Sequence, residues 1–282
     1  MKWLKRTMVL ALLVMSMTGT VKVQALNYAF DAWTDPRTKT IKLDLNKDGK
    51  KENIKMECYT YDDWDWDEAD NYYNIYVNKK CVLRNGSQIW IMDIDTRDKY
   101  IEIVATFKGK NGLYIYRYNG KKLTLYASAK EKPLSNLMKK NTVCFTGYGD
   151  RKKIKPSGKG KIIIYNLMHM QNSVVAGDVW YETGLNYTVK KNLIKFDSSA
   201  SCKVTDDNGK DKIMKLKKSW KAYKYPRSSS NKKIFTVNKG EKVKVTDLKF
   251  STKYTYLKVK NLKSKKTGWV VFRTKEITNL EY

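Results

Sequence analysis

Short runs in which apolar and polar residues alternate dominate this chain, and they are rich in Ile, Val, Tyr and Thr. Asn, Gly, Asp and Lys separate them, which is the pattern of half-buried strands joined by turns. Only 133–140 reads as a short helical turn. The clearest local structure spans 101–126, where IEIVATF, LYIYRY and KKLTLY are three strand-like runs. Asn111-Gly112 and Asn119-Gly120 fall between them, and Asn-Gly takes positive φ at low cost, so a three-stranded meander is expected with these pairs as its turns. The pattern predicts an all-β protein of antiparallel sheets.

A repeat runs through the first half. DLNKDGKKENI at 44–54 aligns without gaps to DIDTRDKYIEI at 93–103, and a tyrosine-rich strand, a turn and another strand follow each. Units of this length suggest propeller-blade-like repeats, with KIIIYNLM and YTVKKNLIKF as a possible third. From Asp211 the texture changes to the strands IFTVNKGEKVKVTDL, YTYLKVKN and KKTGWVVF, a barrel-sized unit. Ahead of all this, Lys2, Lys5 and Arg6 precede the apolar stretch Met8–Met17, and Val23-Gln24-Ala25 offers a cleavage site. That is the form of a secretory signal peptide, too short to span a bilayer. The expected divisions are 1–25 signal peptide, 26–40 an N-terminal segment, 41–130 two repeat units, 131–211 further β structure and 212–282 a basic module.

Charge changes the picture. The net charge of +29 is unevenly spread: 26–105 carries 12 Lys and Arg against 16 Asp and Glu, whereas 106–282 carries 41 against 12. Such polarity predicts a polyanionic partner, and for an exported chain this means wall polymers, acidic glycans or lipid surfaces before nucleic acid. The competing reading is that lysines merely solubilise strand faces. Cys58, Cys81, Cys144 and Cys202 lack metal-site spacing. By strand parity, Cys58 (with Ile54 and Met56) and Cys81 (with Ile75, Val77 and Leu83) both point inward. A 58–81 disulfide or two core thiols are the alternatives.

Residues 44–52 carry candidate metal chemistry. A full EF-hand loop needs a bidentate Glu at position 12, and that position is Lys55. A compact loop would instead take oxygens from Asp44, Asn46, Asp48 and Glu52 and the carbonyl of Lys50, a hard set that suits calcium. An Asx-rich turn without metal is the alternative. DxNxDGxxE between strands, followed by a tyrosine-rich hairpin, resembles the FG-GAP and VCBS repeats over about 41–126. The resemblance implies propeller blades with one structural calcium. In the second loop Arg97, Asp98 and Ile101 replace Asp48, Gly49 and Glu52. A one-residue shift would recruit Asp98 and Glu102, while Arg97 argues against a second ion.

YTYDDWDWDEADNYY at 59–73 interleaves acids with aromatics. Trp64 and Trp66 are candidates for stacking on sugars, against an acidic loop that blunts a strand edge. His169 is the only histidine, no GxSxG, HExxH or P-loop occurs, and Cys144–His169 has no nucleophile context, so an enzyme is not expected. FTVNKGEKVKV, YLKVKN and KTGWVVF resemble a bacterial SH3-like (SH3b) domain, which implies a small barrel that targets wall components. Tyr223, Tyr225, Tyr254, Tyr256 and Trp269 are its candidate ligand residues. The sequence reads as a secreted, non-enzymatic protein, non-covalently associated with the cell wall or another anionic glycopolymer. A protein-recruiting role for the repeat region is the alternative, ahead of a wall or polysaccharide hydrolase. Nucleic acid would bind only non-specifically, at low salt.

Overall fold

The computed structural model describes residues 26–31, 37–61, 70–107, 110–144, 153–170, 179–206, 210–226, 232–251, 254–273 and 277–279. The expected signal peptide and the 62–69 stretch with Trp64 and Trp66 lie outside the described residues. Strands dominate and no α-helix occurs among the described residues. The turn expected at 133–140 contains a short 3-10 segment, Leu134–Asn136. No helix among the described residues is long and apolar enough to cross a membrane.

The first sheet contains β1 (Asn27–Asp31), β2 (Lys39–Leu43), β3 (Glu52–Tyr61), β4 (Asp70–Val77), β5 (Lys80–Met92), β6 (Glu102–Phe107), β7 (Lys110–Tyr118), β8 (Leu123–Glu131) and β9 (Thr142–Val143). β2 through β9 follow one another edge to edge, and β1 adds to β5. Only the β8–β9 ladder is parallel; all others are antiparallel. Both repeat units thus share one continuous sheet rather than forming separate blades.

Ile89 and Ile91 face a core with Phe30, Leu45, Ile54, Met56, Tyr73 and Ile75. Their neighbours Trp90 and Met92 face the other way, into a core shared with the second sheet. That two-sided burial explains why IWIM and IVA, at 103–105, read as unbroken apolar runs rather than alternating ones.

The second sheet contains β10 (Lys153–Pro156), β11 (Lys161–Met170), β12 (Val179–Lys190), β13 (Leu193–Phe196), β14 (Cys202–Thr205), β15 (Lys212–Lys215), β16 (Trp220–Tyr223), β17 (Lys233–Val237), β18 (Lys242–Phe250), β19 (Tyr254–Asn261), β20 (Thr267–Arg273) and β21 (Ile277–Asn279). Its order is β10-β11-β12-β14-β18-β19-β20-β16-β17, with β13 on β12, β15 on β18 and β21 on β11. No ladder among the described residues joins β17 back to β18, so these strands form an open path. β14, upstream of residue 212, pairs with both β12 and β18.

Backbone bonds stitch the sheets together. Asn141 exchanges bonds with Ile194, donating its N–H at 2.8 Å and accepting through Oδ1 at 2.9 Å. Gly160 donates to Ile94 at 2.9 Å and Thr96 to Gly158 at 3.1 Å.

Two sequence expectations change. Asn119-Gly120 does turn between β7 and β8, with Gly120 at φ 87°. Asn111-Gly112, however, lies within β7. A Cβ on Gly112 would stand 2.4 Å from the Ala129 carbonyl oxygen, so the glycine permits close strand approach. For Cys58 and Cys81, a bulge at Val82 reverses the expected parity. Ile75 pairs with Leu83 but Tyr76 with Cys81, placing Cys81 on the face of Tyr76, opposite to that of Ile75. Cys58 pairs with Tyr73 on the Ile75 face, and β4 lies between the two cysteine-bearing strands. All four cysteines are thiols, and no 58–81 bridge forms.

Candidate functional site

The 44–51 loop closes the β2–β3 hairpin, whose last pair is Leu43 with Glu52. The Asp44 carboxylate folds back on its own loop, accepting the N–H of Asp48 at 3.0 Å and of Gly49 at 2.8 Å. Gly49, at φ 91°, permits that turn. Asp48 accepts the Lys50 N–H at 2.8 Å and the Asn46 side-chain amide at 2.9 Å. These bonds hold its carboxyl below the usual range, the Lys50 N–H contributing most. Glu52 is buried and accepts the Leu45 N–H at 2.9 Å. Asn46 Oδ1 is buried with no hydrogen-bond partner. The oxygens of Asp44, Asn46, Asp48, Glu52 and the Lys50 carbonyl are therefore held on one short loop. No three Asp, Glu, His or Cys side chains among the described residues form a closed metal cage. An ion here would thus need the Asn46 and Lys50 oxygens as well.

The 93–101 loop repeats this design between β5 and β6. Glu102 accepts the Ile94 N–H at 3.1 Å, as Glu52 accepts that of Leu45. Asp98 accepts the Tyr100 N–H at 2.9 Å, as Asp48 accepts that of Lys50. Eight residues separate the pair Leu43–Glu52, and nine separate Met92–Glu102. The gapless alignment is thus broken by one extra residue between Ile94 and Asp98, and Asp98 and Glu102 take the places of Asp48 and Glu52.

The surroundings of the second loop differ. Arg117 Nη2 donates to Asp98 at 2.5 Å and to Glu102 at 2.6 Å, and its Nε to Glu102 at 2.8 Å. Its guanidinium carbon lies 3.6 Å from the Tyr126 ring centre and 4.7 Å from that of Tyr100. Burial pushes the Glu102 carboxyl up to about 7, against the pull of Arg117 and the Ile94 N–H. Arg97 grips both Asp95 oxygens at 2.7 Å. Lys47, from the first loop, reaches Asp93 and the Asp98 carbonyl, each at 2.9 Å. Sequence reasoning missed Arg117; its signal was a lone arginine within a tyrosine-rich strand.

A different chemistry marks the second sheet. Tyr223 stands in register with Trp269, Trp269 with Lys258, Lys258 with Asp247, and Asp247 with Lys203. Lys233 pairs with Tyr223 at the other end. Cross-strand partners share a face, so one row crosses β17, β16, β20, β19, β18 and β14. The intervening residues Ala222, Val270, Leu257 and Leu248 enter the core, which turns the row outward. Gly268 makes room beneath it, since a Cβ there would meet Ala222, Ile234 and Phe235 at 3.0 Å.

The Lys258 ammonium lies 5.9 Å from the Trp269 ring centre and 3.6 Å from Asp247. Lys203, Lys221, Lys233 and Lys260 are exposed around the row. Tyr254 and Tyr256 share this face by register, but Tyr256 is buried and supports rather than presents. Tyr225 follows β16 and is exposed. The structure thus places Tyr223 beside Trp269, whereas Tyr256 and Tyr254 lie two and four residues along β19 from Lys258 on the same face. The lysines and Asp247 between them were not singled out from sequence, because which strands are neighbours is set by the fold.

Cys202 is buried, and burial pushes its thiol up to about 11, far from a reactive thiolate at neutral pH. No family model matches this chain, and comparisons with curated proteins and with solved structures find no match.

Proposed function

We propose that this chain is a secreted, non-enzymatic binding protein that attaches non-covalently to an anionic extracellular polymer, foremost a cell-wall glycopolymer. The observation that carries this reading is the outward row Lys233–Tyr223–Trp269–Lys258–Asp247–Lys203. Aromatic rings with an apolar face suit sugar rings, and exposed lysines beside them suit the acidic groups such polymers carry. The surplus of basic residues from 106 onward would draw the polymer from a distance, in a salt-dependent way.

On this reading the first loop holds one structural calcium. The unpartnered, buried Asn46 Oδ1 and the preset carboxylates fit a hard cation. Asp44, Asn46, Asp48, Glu52 and the Lys50 carbonyl would hold it, and the ion would supply positive charge that rigidifies the β2–β3 turn. The resemblances to calcium-binding repeats and SH3-like modules agree with this division, although the two regions share one core.

The test is co-sedimentation of the full mature chain with purified cell walls at about 0.15 M salt, where the Debye length is near 8 Å, and again at higher salt. Retention at both that weakens in Trp269→Ala supports the reading; no retention at either overturns it. A protein-recruiting role is the second reading. It draws on the face of β3 and β4 that carries the half-buried Tyr59 and Tyr76, with the buried Tyr72 ring packed 5.8 Å from that of Tyr59.

A further inference from the structure

The two loops have the same frame and opposite electrostatics. Among the described residues no lysine or arginine bridges Asp44, Asp48 or Glu52 of the first loop. Every carboxylate of the second loop is met by a side-chain cation: Asp93 by Lys47, Asp95 by Arg97, and Asp98 and Glu102 by Arg117. Asp98 and Glu102 occupy the positions of Asp48 and Glu52, and the Arg117 guanidinium donates to both. One further oxygen, Asp93 Oδ1, is buried with no hydrogen-bond partner, as is Asn46 Oδ1 in the first loop.

We infer that the second loop is a divalent-cation site whose ion has been replaced by this chain's own Arg117 and Lys47, so the protein takes up calcium through the first loop alone. Arg117 is well suited to the substitution. Its planar fork satisfies two carboxylates at once, and Tyr126 and Tyr100 flank the rest of the guanidinium. A fixed charge also suits the position. The second loop is part of the joint between sheets, through the Thr96–Gly158 and Gly160–Ile94 bonds, and this joint then holds whatever the calcium concentration. Lys47 links the loops, because it belongs to the first, at φ 50° between Asn46 and Asp48, and neutralises the second.

The comparison borrows the calcium reading of the first loop, but the test separates the two. Calcium uptake would be measured by equilibrium dialysis and calorimetry on the full mature chain, Asp48→Ala, Arg117→Gln and the double variant. The inference expects a single ion in the parent, none in Asp48→Ala, a second weaker site in Arg117→Gln, and that site alone in the double variant. Tyrosine-sensitised terbium luminescence should rise with the new site, beside Tyr100 and Tyr126. Folded Arg117→Gln with unchanged uptake overturns the inference, as does uptake persisting in Asp48→Ala. If the parent binds no calcium while Arg117→Gln gains a site, only the first-loop reading fails. If Arg117→Gln does not fold, the melting temperature of Asp48→Ala decides: insensitivity to calcium sustains the inference, and a calcium-dependent rise refutes it.

Discussion

The phenol of Tyr187, on β12, accepts the backbone N–H of Cys144 at 3.1 Å in a buried bond between the two sheets. Six residues earlier on the same strand, the Tyr181 hydroxyl is buried without a partner. Burial pushes both phenols far above their ordinary range, so both are neutral donors or acceptors at any physiological pH. Tyr187→Phe should therefore cost about 1–3 kcal/mol, the penalty for withdrawing one partner of a buried bond. Tyr181→Phe should be neutral or slightly stabilising. Urea denaturation compares the two, and an equal loss in both variants would show that packing, not the hydroxyl, matters.

Asn46→Asp places a fourth carboxylate in the first loop. Without calcium the variant should be less stable than the parent, by about 1–3 kcal/mol, because the Asn46 amide that donates to Asp48 becomes a carboxylate oxygen facing it. With calcium it should match or exceed the parent, because binding to the native state adds stability. Thermal melts in chelator and in calcium read both. A deficit that calcium leaves untouched argues against an ion at this loop.

The outward row gives opposite predictions for neighbouring residues. Trp269→Ala should weaken polymer retention by roughly 10-fold or more if the ring is a central contact. Lys258→Ala should weaken it by about 2- to 5-fold, corresponding to a 0.5–1 kcal/mol cation contribution at an exposed site. Asp247→Asn removes the one carboxylate in the row and should tighten binding of an anionic ligand. Weaker binding in Asp247→Asn would mean that the contact lies elsewhere.

Asp197 supplies a pH test. Lys161 at 2.7 Å, then the Ser199 hydroxyl, hold its carboxyl down to about 2. A carboxyl lowered in the folded state stabilises it above the unfolded value near 3.8, and that contribution fades as pH falls toward 2. Lys161 is well exposed, so solvent screening reduces the pair to about 1 kcal/mol. Asp197→Asn should lose this near neutrality and equal the parent near pH 2. A pH-independent difference would point to the side-chain amide rather than the charge.

Strands were legible in the sequence because alternation is local, and the 101–126 meander appears where its three runs lie. What the sequence hid depends on neighbours distant along the chain. Asn111-Gly112 has the composition of a turn, yet its glycine serves the approach of Ala129. One bulge residue, Val82, inverted the facing of Cys81. The one-residue shift that recruits Asp98 and Glu102 was open in the sequence, and the hairpin register near Arg97 selects it. In the candidate surface, Tyr223, Tyr254, Tyr256 and Trp269 could be named from their surroundings in sequence. Lys258, Asp247, Lys203 and Lys233 required the strand order.

β14 meets β12 through Glu182–Thr205 and Thr183–Val204, and β18 through Cys202–Leu248 and Lys203–Asp247. A four-residue strand therefore belongs to both the middle of the chain and its basic end. Cutting at residue 211 would strip β18 of an edge partner and expose Cys202 and Val204, which are buried. The basic end should thus melt together with the rest in one cooperative transition, and limited proteolysis should release no stable fragment that begins after β14. Evolution or engineering could transplant this surface only by carrying β14 along with it.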